Sequence, residues 1–235
     1  MSSTPGRSRF DTVSVAGTSV FGALATMLAA ASQGLGLNFP LVPYLQFDFG
    51  EIAIFLAFFL FGPLPAVAAS GVEFAALEFF GQNLPYGPVL KLIALLSSIA
   101  GLWLGTWTAR RLRSRRLKTG LAIGGGVGIV SRAAVMSVAN YYLIQSVYTL
   151  EGVTSFLTGI FASFGIVMTA ANAMTLILGF TAVFNALQLS FALVISYLVL
   201  RVSAVSGLII GGRSPWFLSG AGSRTKPAAH QDIIP

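Results

Sequence analysis

The sequence predicts an all-α integral membrane protein with six transmembrane helices, and composition and segment length support this prediction. Of the 235 residues, 55% are hydrophobic and only 9% are charged, whereas a soluble domain carries about 25% charged residues. Several apolar stretches are about 20 residues long, which is the length that an α-helix needs to cross a hydrocarbon core. A transmembrane β-barrel would instead show alternating segments of about 10 residues.

The six predicted helices are separated by polar, glycine-rich or basic connections. The first helix follows a polar, basic stretch that lacks the cleavage-site pattern of a signal peptide. The second helix follows a loop rich in proline and aromatic residues and stops at Gly62-Pro63. The third precedes a short polar loop at 81–87, the fourth runs into a basic connection, and the fifth and sixth are long apolar segments. The predicted ranges are 13–33, 51–62, 64–80, 88–110, 120–144 and 178–201.

The distribution of basic residues predicts that both termini face the cytoplasm. Six of the fourteen basic residues lie between Arg110 and Lys118, and most others lie near the two ends of the chain. Clustering of Lys and Arg in cytoplasmic connections is the positive-inside pattern, so the net charge of +7 reflects topology rather than nucleic-acid binding. The expected regions are a cytoplasmic tail at 1–12, a cell-membrane domain at 13–203 and a cytoplasmic polar tail at 204–235.

The apolar segment 153–176 is the ambiguous element. It is apolar enough to span a membrane, but it also contains Ser, Thr, Gly and Asn. A seventh span would place the basic tail outside the cell, so we predict a long structured loop or an interfacial helix here. With six spans, this segment, the first loop (residues 34–50) and the 81–87 loop share the outer face.

Two charged residues lie within predicted spans. Glu73 is in the middle of the third helix and Arg132 in the middle of the fifth, and each costs several kcal/mol or more near the bilayer centre unless it is paired or hydrated. The two residues either form a buried ion pair with each other or contact a polar ligand. Lys91 is expected to reach the interface, to meet Glu78, or to contact the ligand.

Polar residues in the last two helices are further candidates for ligand contact. The Asn140 amide has donor and acceptor groups that suit the edge of a heteroaromatic ring, and Tyr141 fits either ligand contact or an interfacial aromatic belt. Asn185 and Gln188 are three residues apart and share a helix face. This pair fits either ligand contact or interhelical hydrogen bonding.

Patterns of catalysis and metal binding are absent from the sequence. There is no cysteine, and the single histidine, His230, lies in the polar tail. The glycine-rich stretch Gly124–Gly128 lacks the Lys-Ser/Thr of a P-loop and predicts close helix packing instead. We therefore expect no enzymatic activity, no ATPase within this chain, no metal site and no cofactor.

Four segments resemble the riboflavin-type substrate-binding (S) subunits of energy-coupling factor (ECF) vitamin transporters. They are the first loop with the second helix (FPLVPYLQFDFGEI, then FLFGPLP), the fifth helix (SRAAVMSVANYYLIQSVY), the sixth helix (FNALQLSFALVISYLVLR) and the pair Ala25-x-x-x-Ala29. The resemblance implies a six-helix bundle that binds a vitamin at the outer face, beneath the loop after the first helix. It also implies docking onto a transmembrane coupling subunit that carries two ATPases, and toppling in the membrane to release the ligand.

The resemblance also assigns roles to particular residues. It makes the stretch Leu45 to Asp48, Asn140 and Asn185 candidate ligand contacts, and Ala25 and Ala29 candidate docking residues. Packing against the chain's own helices is the alternative for this alanine pair. The full set of predicted ligand contacts is Phe39, Tyr44, Leu45, Gln46, Phe47, Asp48, Glu73, Asn140, Tyr141, Asn185 and Gln188.

Two departures from the family pattern bear on the ligand. A family lysine three residues after Asn185 is replaced by Gln188, and a Lys-Asn pair of the third helix is replaced by Glu73-Phe74. The loss of basic groups disfavours an anionic ligand. The sequence therefore predicts the S subunit of an ECF importer for riboflavin. The alternatives are another vitamin or small metabolite (pantothenate, folate or a queuosine precursor), a stand-alone secondary transporter or channel, and a structural scaffold.

Overall fold

The computed structural model describes residues 12–81, 83–111, 117–205 and 216–219, and these residues are almost entirely helical. The predicted N-terminal tail, most of the basic connection and most of the C-terminal tail lie outside the described residues. The elements are α1 (Thr12–Leu35), β1 (Asn38–Phe39), β2 (Val42–Gln46), α2 (Gly50–Phe61), α3 (Pro63–Phe80), α4 (Tyr86–Arg111), α5 (Leu117–Leu143), a π-helical turn (Ile144–Tyr148), α6 (Leu150–Ser163), α7 (Ala173–Val205) and α8 (Trp216–Ser219).

Five of the described helices are long and apolar enough to cross a membrane, so the predicted count of six spans is not confirmed. These five are α1, α3, α4, α5 with its π-helical turn, and α7. The helix predicted as the second span, α2, has only 12 residues and is therefore about 18 Å long. The structure thus shows a multi-pass helical membrane protein with one additional short apolar helix.

The short helix α2 is enclosed by protein on all sides. Its residues from Ala53 to Phe59 have exposed fractions of 0–9%, because α1, α3 and α7 surround it. The rings of Trp216 and Phe217 in α8 contact Phe58 and Phe59. A helix that is hydrophobic all round is typical of an element buried in a larger core, which explains why sequence apolarity alone does not establish that α2 spans the membrane.

The ambiguous segment contains no helix that is long and apolar enough to be a candidate span, which is consistent with the predicted structured loop or interfacial helix. It contains α6, which has 14 residues, fewer than the roughly 20 that a span requires. Leu157 and Phe161 of α6 are fully buried in a cluster with Phe39, Ile177 and Phe184. Helix α7 begins at Ala173, five residues before the predicted start of the sixth helix.

Helices α4 and α5 approach each other closely through facing glycines. A Cβ added to Gly101 would lie 2.7 Å from the Cα of Gly128, and one added to Gly124 would lie 3.0 Å from Cγ2 of Thr106. The glycine-rich stretch of α5 therefore serves helix packing, as the sequence predicted.

The small residues of α1 face the interior of the chain at two positions that the sequence singled out. Ala25 and Ala29 are 0% exposed, and a Cβ added to the nearby Gly22 would lie 2.8 Å from Cβ of Val72 in α3. This burial favours packing against the chain's own helices. The outward face of α1 instead exposes Ala16, Ala23 and Ala30.

We predict that Gly101→Ala destabilises the protein by about 1–3 kcal/mol, because the added methyl group overpacks the α4–α5 interface. Thermal unfolding in detergent measures the effect. The matched control is Gly126→Ala, since a Cβ at Gly126 meets nothing within 4 Å. Equal melting temperatures for the two variants would contradict the close approach of α4 and α5.

Candidate ligand-binding site

A cavity of about 540 Å³ lies at the end of the bundle that carries the first loop, a volume within the usual range for small-molecule sites. Residues of the first loop, the connection between α3 and α4, and the region from the π-helical turn to α6 all contribute to its wall. The predicted gathering of these three connections on one face is therefore confirmed. The polar and charged lining residues are Ser32, Gln33, Tyr44, Gln46, Asp48, Glu51, Asn83, Tyr86, Lys91, Arg132, Asn140, Tyr148 and Asn185.

Most of the predicted ligand contacts lie in this wall. The first-loop residues Tyr44, Leu45, Gln46, Phe47 and Asp48 line the cavity, as do Asn140 and Asn185. The other four predicted contacts, Phe39, Glu73, Tyr141 and Gln188, lie outside the lining, and each has another position in the structure.

Of the alternatives left open for Glu73 and Arg132, pairing with each other does not occur, because Glu73 pairs with Lys91. The Nζ of Lys91 donates to Oε1 of Glu73 at 2.6 Å and also forms an ion pair with the Asp48 carboxylate. Lys91 thus meets Glu73 and Asp48 rather than Glu78. Glu73 is 1% exposed, and its Oε2 has no hydrogen-bond partner among the described residues.

Arg132 instead pairs with Glu51, a residue that is not among the predicted ligand contacts. The guanidinium donates from Nη1 and Nη2 to the two carboxylate oxygens of Glu51, at 2.6 and 2.8 Å. The Nε of Arg132 donates to Oδ1 of Asn185 at 2.9 Å. All three side chains are at most 3% exposed, so this bidentate pair connects α2, α5 and α7 in the interior of the protein. Helical periodicity did not reveal it because the three residues are far apart in sequence.

Gln188 holds the end of the first loop rather than lining the cavity. Its Nε2 donates to the Asp48 carbonyl at 2.7 Å, and its Oε1 accepts the Asp48 backbone N–H at 3.3 Å. The Asp48 carboxylate accepts the Gly50 N–H at 2.6 Å, at the start of α2. Asp48 is therefore held through its backbone by α7 and through its side chain by Lys91 of α4.

The same end of the first loop is also held by α1. The Gln46 amide donates to the carbonyl oxygens of Ser32 and Gln33 at 3.2 and 3.4 Å, and the Phe49 N–H donates to the Ser32 hydroxyl at 2.9 Å. The loop itself folds as an antiparallel pair of β1 and β2. It therefore covers the cavity as an ordered hairpin rather than as an irregular loop.

Aromatic residues form the apolar part of this cover. Phe39 and Phe47 of the hairpin both contact Phe184 of α7, with ring centroids 5.6 and 5.1 Å apart. Phe39 is buried and lies outside the cavity lining, so it stabilises the hairpin without facing the cavity. Burial raises the pKa of the Tyr44 phenol to about 12, with a smaller opposing effect of the Thr181 hydroxyl. Tyr44 is therefore uncharged at neutral pH.

Asn140 and Tyr141, the two adjacent residues of α5 that were predicted to contact the ligand, have different environments. Asn140 is 2% exposed, lines the cavity, and donates from Nδ2 to the Met136 carbonyl at 2.9 Å. Tyr141 is 42% exposed and contacts the ring of Tyr142. This position favours the aromatic-belt interpretation of Tyr141 over ligand contact.

Comparisons with known proteins agree with this architecture. No family model matches the chain. A segment of 116 residues is 30% identical to the riboflavin transporter FmnP of Bacillus subtilis (strain 168); it covers 48% of this chain and only 60% of that relative. A solved structure of the S component of a bacterial ECF transporter superposes with a TM-score of 0.61 at 19% identity, over 83% of this chain and 96% of the other. The chain has the fold of an ECF S component.

In this S-component fold, we predict that Lys91→Met destabilises the protein by about 3–5 kcal/mol, because it leaves two carboxylates without their shared cation. Adding Glu73→Gln should restore part of the loss, since one uncompensated charge is then removed. Thermal unfolding in detergent measures both variants. The control is Arg201→Met, which removes an exposed charge on α7 and should change stability by no more than about 0.5 kcal/mol. A Lys91→Met variant as stable as this control would contradict the buried cluster.

Proposed function

We propose that the chain is the substrate-specificity subunit of an ECF-type importer and that it binds riboflavin in the cavity beneath the hairpin. The observation that carries the proposal is the cavity whose wall combines the first loop, Asn140 and the inner face of α7. The S-component fold and the similarity to a riboflavin transporter support the same function. A binding role without catalysis also accords with the sequence, which lacks the patterns of catalytic sites.

The charge balance around the cavity supports an uncharged ligand. Lys91 is paired with Asp48 and Glu73, and Arg132 with Glu51, so each of these two cations already has a carboxylate partner. An anionic ligand would have to be buried beside three carboxylates, at a high electrostatic cost. Riboflavin itself carries no charge at neutral pH, so it avoids this cost.

Uptake is proposed to require a separate transmembrane coupling subunit and two ATPase subunits. The proposed orientation has both termini in the cytoplasm and the cavity at the outer face, as the basic residues indicate. Because Ala25 and Ala29 are buried, we place the docking surface on the exposed face of α1 that carries Ala16, Ala23 and Ala30. Small residues on such a face permit close approach of a partner helix.

The direct test is titration of the detergent-purified protein with riboflavin, followed by quenching of flavin fluorescence. Saturable quenching at sub-micromolar concentration, or flavin absorbance in the protein as purified, is the expected result. A colourless protein that ignores riboflavin would overturn the riboflavin assignment and direct the search to another uncharged metabolite.

We predict that Asn140→Leu weakens riboflavin binding about 10- to 100-fold, because the cavity loses one buried polar contact with the ligand. Fluorescence titration measures the change. Tyr142→Leu is the control, since Tyr142 is 64% exposed and lies outside the cavity lining; its affinity should equal that of the wild type. Equal affinities of all three proteins would remove Asn140 from the site.

We predict that Ala23→Trp prevents co-purification with co-expressed coupling and ATPase subunits, because a bulky side chain blocks close helix approach. Riboflavin affinity and melting temperature should stay unchanged, since Ala23 faces away from the bundle. The comparison variant Ala25→Trp should lower the melting temperature instead, because Ala25 is fully buried. An Ala23→Trp variant that still assembles normally would contradict the placement of the docking surface.

A further inference from the structure

Arg132 lines the cavity, and two N–H donors of its guanidinium are still available. A guanidinium has five N–H donors. Three of them bind described residues: Nε–H binds Asn185, and one N–H each from Nη1 and Nη2 binds Glu51. Two N–H donors therefore remain without a partner among the described residues, on a side chain that lines the cavity and is 3% exposed.

Asn185, by contrast, has fewer donors left for a ligand. Its Oδ1 accepts from Arg132, and its Nδ2 donates to the Thr181 carbonyl at 2.9 Å. Each polar atom of the amide thus makes one hydrogen bond within the protein, which leaves one N–H and one lone pair of Asn185. Most of the donors that this part of the wall offers to a ligand belong to Arg132, and Asn185 holds the guanidinium in place.

A purely structural role explains the Glu51–Arg132 pair poorly. Replacement of a buried ion pair by apolar residues of similar volume is often neutral or even stabilising, so holding helices together does not require charges here. Both residues of the pair also line the cavity, although they are at most 3% exposed. Binding through both carboxylate oxygens and through Asn185 fixes the plane of the guanidinium, and such preorganisation favours directional recognition.

We propose that Arg132 recognises the ligand by donating to an uncharged acceptor, a carbonyl oxygen or a ring nitrogen of a heterocycle, and that Asn185 is a positioning residue for Arg132. The inference rests on the proposed function and names a specificity-determining residue within it. Glu51 neutralises the guanidinium, so the site gains a directional donor without gaining a preference for anions.

The test is the double variant Glu51→Met/Arg132→Met, which removes both charges together and preserves approximate volume. Riboflavin affinity should fall by about tenfold or more, since a hydrogen bond from a charged donor is lost, while the melting temperature stays near that of the wild type. The control is Ser196→Ala, because the Ser196 hydroxyl donates to the Ile52 carbonyl across the same α2–α7 interface but lies outside the cavity lining. Its affinity should be unchanged.

Two further measurements separate recognition from a structural role. The visible absorption spectrum of bound flavin reports on donors to the ring, so it should change in the double variant and stay unchanged in Ser196→Ala. Asn185→Leu should weaken binding in the wild-type background but add no further loss in the double variant, because it acts through Arg132. Wild-type affinity and spectrum in a folded double variant would overturn the inference and leave the riboflavin assignment intact.

If the wild-type protein does not bind riboflavin, the proposal that riboflavin is the ligand is wrong. The inference is then tested by thermal stabilisation with a panel of uncharged heterocycles: lumichrome, lumazine and 7-cyano-7-deazaguanine. A compound that stabilises the wild type but not the double variant supports the role of Arg132. Equal stabilisation of the two proteins, or stabilisation of neither by any compound, overturns it.

Discussion

Pairing of buried charges is the constraint on which the rest of this structure depends. Two cations and three carboxylates lie at or near the cavity, where an unpaired charge would cost several kcal/mol. Glu51, Arg132 and Asn185 connect α2, α5 and α7, whereas Glu73 and Lys91 connect α3 and α4. Together the two networks fix the positions of five helices around one cavity.

The second network also connects the helices to the cover of the cavity. Lys91 binds the Asp48 carboxylate, and Gln188 binds the Asp48 backbone on both its donor and its acceptor side. Asp48 is the point at which the hairpin leads into α2. The position of the hairpin over the cavity therefore depends on the same charges that hold the helices, and ligand access and bundle geometry are physically linked.

Apolar packing stabilises the parts of the bundle that the buried charges do not connect. Helix α2 is too short to count as a span by length, yet it carries three of the largest fully buried side chains of the described residues, Phe55, Phe58 and Phe59. Glycine contacts between α4 and α5 bring Arg132 of α5 and Lys91 of α4 to the same cavity. The outward face of α1 remains available for a partner in the membrane, because its inward face is occupied by α2 and α3.

The sequence by itself determined the class of protein, the approximate bounds of the long helices and most of the hairpin residues at the cavity. These features follow from hydropathy, the positions of prolines and local motifs, all of which are properties of contiguous segments. Tertiary structure decided which charges pair. Glu73 and Arg132 were both visible as costly residues, but their partners Lys91 and Glu51 are 18 and 81 positions away. Helix rotation and packing bring such residues together, and one sequence contains no signal of either. For the same reason only the folded chain showed that Asn185 is engaged by Arg132, and that Ala25 and Ala29 face inward.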